Sequence, residues 1–193
     1  MSIDYLDDQP WDAWSREERL FCAVLYEYAR RDSADFARWL IDTAPVAAVQ
    51  GEGDWDLGYE VCFYRDYLKR RNACDSSIKT ARGAGYPFKR TFDLCLFGER
   101  AIIIIEAKVC QGFEADQNEA FRDDIEYVQR AIGRPGFPVF IVPLATTHYL
   151  ESPRTSIDSL FTGSITWAQT AKYVANRYGD DLRLERADTM YGA

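Results

Sequence analysis

The sequence predicts an α/β domain built on a mixed central sheet of four to five strands flanked by helices. Three observations predict it. Ile102-Ile103-Ile104-Ile105 is an unbroken β-branched run of the kind found in a central strand buried on both faces. A second apolar run, residues 92–97, precedes it across Gly98-Glu99, a Gly-X pair that suits a two-residue hairpin. Before and after this pair, segments with helical spacing of apolar residues alternate with short strand-like runs, as in a sheet covered by helices.

At 193 residues, with 47% apolar and 15% aromatic content, the chain reads as one globular domain over 1–193. Residues 1–14, with Trp11 and Trp14, form an acidic N-terminal tail, 15–145 the core and 146–193 a C-terminal extension. Ser15-Arg16-Glu17-Glu18 is a capping box that starts a helix, with Ser15 as N-cap and an apolar stripe of Leu20, Phe21, Val24, Leu25 and Tyr28. A second helix covers 33–43 and stops before Pro45, and 46–54 is a loop. Residues 57–64 have strand composition, and 65–71 either continue that strand or turn helical.

After the hairpin, a helix covers 114–132 and ends at Gly133 and Pro135. Residues 138–144 are a buried strand, parallel to the isoleucine strand if that helix is the crossover. An irregular stretch with a short helix near 156–161 leads to a short strand at 164–167, a helix to Tyr178 and a loose tail.

Composition excludes several function classes. The apolar runs are too short to span a membrane, and the acidic N-terminus is unlike a secretory signal, so a reducing, cytoplasmic setting is expected. Five cysteines without C-x-x-C spacing disfavour disulfide frameworks and thiolate zinc sites. His148 is the sole histidine, which excludes sites needing two imidazoles. The Gly83-Ala84-Gly85 loop lacks the Lys-Ser/Thr of a nucleotide-binding loop.

The net charge of −8 opposes phosphate binding, yet residues 65–90 carry eight basic residues against two acids. That basic segment, ending in Lys89 and Arg90, runs directly into the hairpin. It is placed either to contact a phosphate backbone or to balance an acidic neighbour.

A turn at Gly98-Glu99 pairs Phe97 with Arg100 and sets Asp93 opposite Ile104. Asp93, Ile104, Glu106 and Lys108 then share a face. Asp93 and Glu106 become diagonal neighbours, with Cα atoms roughly 7–8 Å apart. Two carboxylates so placed can bind one hard divalent cation through bonds of about 2.0–2.6 Å. The plainer reading is that Lys108 neutralises them in a partly buried ion-pair cluster.

Asp93, twelve residues, then Glu106-Ala107-Lys108 closing an apolar hairpin strand, with a helix following, resembles the signature of the PD-(D/E)XK nuclease superfamily. The resemblance covers about residues 15–145 and implies a restriction-endonuclease-like fold and hydrolysis of phosphodiesters in nucleic acid, most readily DNA. It implies Mg²⁺ or Mn²⁺ held by Asp93, Glu106 and the Ala107 carbonyl. Lys108 then positions the attacking water or stabilises charge on the phosphate. A helix before the sheet often adds an acid, here Glu18 or Glu17, with Glu60 as fallback. Glu18 lies at the edge of its helix's apolar stripe, the better place to reach a cleft. Gln117 resembles the start of a Q-x-x-x-Y motif of RecB-like members, with Phe121 replacing the Tyr. Lys89, Arg90 and Gln117 are the candidate substrate contacts, and a homodimer is an ordinary assembly for the fold. The alternative is a nuclease-like fold serving as a binding or regulatory module, which the acidic net charge favours.

Overall fold

The computed structural model describes residues 15–46, 49, 53–70, 90–113, 117–152, 161 and 163–191, without the side chains of 67–68 and 117–120. The 1–14 tail, Lys89 and most of the basic segment, the Gly83–Gly85 loop and most of the 156–161 helix lie outside the described residues. The chain order is α1 (Glu18–Ala29), α2 (Ser33–Thr43), β1 (Trp55–Val61), a π-helical turn (Phe63–Leu68), β2 (Phe92–Gly98) and β3 (Ile102–Ala107). There follow α3 (Gln117–Ala131), β4 (Val139–Ala145), α4 (Thr147–Glu151), β5 (Ile165–Thr166), α5 (Trp167–Tyr178) and α6 (Leu182–Thr189).

The five strands stand in the order β1-β2-β3-β4-β5, so the isoleucine strand is central. β1, β2 and β3 run antiparallel to one another, whereas β3–β4 and β4–β5 are parallel. The fold is therefore α/β with a mixed open sheet, as the residue pattern predicts. Strand alternation divides the isoleucines between two cores. Ile103 and Ile105 pack with Phe21 and Leu25 of α1, Phe36 and Leu40 of α2, and Trp167 and Tyr173 of α5. Ile102 and Ile104 pack with Phe121 and Val128 of α3 and with Phe63. Among the described residues, no helix is long and apolar enough to cross a membrane.

Five local expectations change, the first being the stretch read as irregular after residue 145, which opens with α4 because the Thr146 side chain caps it by accepting the Tyr149 N–H. The hairpin pairs Phe97 with Ile102 and Leu94 with Ile105, and Gly98 N–H donates to Ala101 O at 2.9 Å. The turn is therefore Glu99-Arg100, not Gly98-Glu99, and the register moves by two residues. Such a shift keeps every side chain on its face, so apolar patterning does not oppose it. It also lets Ala101, fully buried, join the core.

The capping box at Ser15 does not form. α1 starts at Glu18 with Glu17 as N-cap, because Ser15 is buried and its carbonyl accepts a hydrogen bond from Arg186 of α6. The strand read at 57–64 is β1, two residues earlier at its start, and the π-helical turn replaces its end. Finally, the expected tail after Tyr178 holds α6, whose Leu184 and Ala187 are fully buried against the α1 side.

The end of α3 matches its sequence signals. Gly133 takes φ +67°, and Arg134 N–H reaches back to Gln129 O at 3.0 Å, a Schellman-type closure. Gly163 is required for a different reason. A Cβ there would lie 2.2 Å from the Ala44 carbonyl oxygen, a backbone atom at the end of α2. Gly163→Ala is expected to destabilise the protein by about 1–3 kcal/mol in urea unfolding, as overpacking against backbone does. An unchanged midpoint would contradict this packing.

Candidate functional site

The site lies at the carboxyl end of β3, where one neighbouring strand is antiparallel and the other parallel. Extending the observed register by one pair sets Asp93 directly opposite Glu106, with Cα atoms about 4.5–5.5 Å apart. The two acids are thus nearer than the diagonal placement predicts. Asp93 Oδ2 accepts the Ala107 N–H at 2.8 Å, which locks its carboxylate across the ribbon.

Lys108 follows the last residue of β3. Its Nζ donates to the Ala107 carbonyl at 2.8 Å and lies 3.5 Å from Glu18 Oε1, an ion-pair separation rather than a tight hydrogen bond. Its ammonium also stands 5.5 Å from the centre of the Phe113 ring. Its carbonyl accepts Trp167 Nε1–H at 2.9 Å, so the core holds the backbone that carries the amine.

Of the three candidates for a further acid, Glu18 is the one that reaches this amine. Glu17 is exposed at the helix cap. Glu60 stands between the Tyr59–Leu94 and Val61–Phe92 pairs, opposite Asp93, but its carboxylate pairs with Arg19 at 3.2 Å. Its φ of +50° is the sole positive value at a non-glycine among the described residues. Backbone of this kind costs about 1–2 kcal/mol in an ordinary residue.

Electrostatics follow from burial. Glu106 is 7% exposed, and desolvation, then the Asp93 charge, push its carboxyl up to about 7 against the pull of Arg90 and Lys108. Burial likewise pushes Glu18 up to about 7, with Lys108 opposing and Asp93 adding to the rise. Burial raises Asp93 also, and the Ala107 N–H opposes it. Three carboxyls that resist ionisation beside one another would be relieved by a cation.

Glu106 Oε1 lies 3.3 Å from Arg90 Nη2, whereas its Oε2 is buried without any hydrogen-bond partner. An orphaned, buried carboxylate oxygen on a residue that feels the charge of a second acid is a candidate ligand position. Among the described residues, no three His, Cys, Asp or Glu side chains gather closely enough to enclose an ion alone. Two carboxylates instead suit a hard cation that keeps water and substrate oxygens, as Mg²⁺ commonly does, and the Ala107 carbonyl, which accepts the Lys108 ammonium, could add only its second lone pair. The residues fit such an ion.

Arg90, proposed from the sequence as a substrate contact, is a quarter exposed. It turns inward to Glu106 and to Asp124 of α3, 2.9 Å from Nη2, and its guanidinium lies 5.0 Å from the Phe92 ring centre. Asp124, 5% exposed, is absent from the sequence-based site. The signal for it was an acid three residues after Phe121, close to the apolar stripe of its helix. Gln117 opens α3, but its side chain lies outside the described residues. No family model matches this sequence, and no curated protein matches it either.

Proposed function

We propose that the protein is a divalent-metal-dependent nuclease that hydrolyses phosphodiester bonds, with DNA as the first substrate to test. The observation that carries this reading is the unpartnered Glu106 Oε2 beside Asp93, with Lys108 close behind on the same ribbon. Asp93 and Glu106, with the Ala107 carbonyl, would hold Mg²⁺ or Mn²⁺. When bound, the cation supplies Lewis-acid polarisation of the scissile phosphate.

The chain's own residues do the rest. The Ala107 N–H fixes Asp93, and Arg90 fixes one oxygen of Glu106, so both carboxylates are oriented before an ion arrives. Lys108 is steadied by the Ala107 carbonyl and by Glu18. Its ammonium can position the attacking water or stabilise negative charge developing on phosphate oxygens. Glu18 keeps that amine at the site rather than serving a helix cap.

The binding-module reading draws its support from the net charge of −8, which suits a protein partner better than free nucleic acid. One assay separates the two. Purified protein is incubated with linear, circular and single-stranded DNA and with RNA, in Mg²⁺, Mn²⁺ or EDTA. Cleavage is expected to require metal and to fall at least about 10²-fold in Asp93→Asn and Lys108→Ala. Cleavage that persists in both variants would overturn the assignment, and none on any substrate would favour the binding module.

A further inference from the structure

The contacts of Arg90 are unequal. Its Nε donates to both Asp124 oxygens, at 3.0 and 3.2 Å, and Nη2 lies 2.9 Å from Asp124 Oδ2. The contact to Glu106 is single and looser, 3.3 Å to Oε1. Asp124 thus takes a three-centre hydrogen bond from Nε and an ion pair with Nη2, the larger share of the guanidinium. With both acids nearly buried, the pair Arg90–Asp124 is close to self-neutral, and Glu106 receives only a share of the positive charge.

We infer that Asp124 is a positioning residue for the β3 site: by holding Arg90 on itself, it keeps the guanidinium off Glu106 Oε2 and leaves that oxygen open to a cation. The inference rests on the metal-site reading above. It assigns Asp124 no contact with substrate or ion. Without the Asp124 charge, Glu106 is the one carboxylate still paired with Arg90. The part-buried guanidinium then closes onto both Glu106 oxygens, because among the described residues no other carboxylate is left to share it. Arg90 would become a competitor of the metal.

This geometry predicts a reversal that a purely structural role for Asp124 does not. Mn²⁺ binding is measured by calorimetry on the full chain, for wild type, Asp124→Asn and the double variant Asp124→Asn/Arg90→Met. Methionine replaces the stem between Phe92 and Phe121 and removes the competitor. Asp124→Asn is expected to weaken Mn²⁺ by about 10–100-fold, the range for residues that orient a ligand. The double variant is expected to recover part of that loss, the remainder being the Arg90 contact that orients Glu106 Oε1. Thermal unfolding of each variant, recorded in parallel, checks that it is folded.

If wild type binds no Mn²⁺, the metal-site reading falls and this inference with it. If wild type binds and Asp124→Asn binds equally well, the metal site stands and the role of Asp124 is overturned. It is overturned too if the double variant binds as weakly as the single one.

Discussion

Glu106→Gln is expected to abolish metal-dependent cleavage and, in the same step, to stabilise the metal-free protein at pH 8. Burial and the Asp93 charge push the Glu106 carboxyl up to about 7, so the folded state holds its proton more tightly than the unfolded state. The stability from this group is complete below its ordinary value of 4.5 and is lost as pH rises through about 7. At pH 8 its ionised form costs on the order of 3 kcal/mol. Gln removes that charge but weakens the Arg90 contact. A net gain of about 1–2 kcal/mol, or roughly 2–8 °C in Tm, is expected for a chain of this size. Wild type should also lose more stability than the variant between pH 5.5 and 8. A Tm that falls in the variant at pH 8 would mean that the carboxylate is an ordinary structural ion pair.

Trp167→Ala is expected to cost about 3–5 kcal/mol, the range for emptying a buried aromatic site. Trp167 is fully buried, sits edge-on to Phe21 with ring centres 6.1 Å apart, and holds the Lys108 carbonyl through Nε1. Trp167→Phe keeps most of the packing but leaves that carbonyl without its donor, at about 1–3 kcal/mol. Urea unfolding measures both. The Phe variant should also lose activity beyond its stability loss, because the segment carrying the Lys108 amine is no longer anchored. Normal cleavage by a destabilised but folded Trp167→Phe protein would remove Trp167 from the account of the site.

The parts of the fold legible in the sequence are those where period and composition agree. The isoleucine run, the parallel strand after α3, and α2 over Ser33–Thr43 all stand where apolar spacing puts them. The hairpin register escaped because a two-residue shift leaves both faces unchanged. Turn chemistry alone had to decide, and Gly98 does not take the positive φ that made it look like a turn residue. The pairing of faces was legible all the same: Asp93 and Glu106 share one.

α6 escaped because its buried residues, Leu184 and Ala187, are too few to give a stripe, and Leu182 is 76% exposed. Its clearer signal was Asp181, an N-cap whose side chain accepts the Arg183 N–H. In the site, Glu18 is legible from its place at the stripe edge, although the Ser15 capping pattern beside it forms no box. Charge marks Arg90 in the sequence but gives its side chain no direction. Its inward turn depends on Asp124, 34 positions away, a pairing that no local pattern contains.

On the proposed reading, Asp93 and Glu106 form one side of a divalent-cation site. Crystals soaked in Mn²⁺ and measured at the manganese absorption edge test it most directly. One anomalous peak per chain is expected, within about 2.0–2.6 Å of a carboxylate oxygen from each acid. Peaks elsewhere only, or a site still filled after Asp93→Asn and Glu106→Gln together, would contradict it.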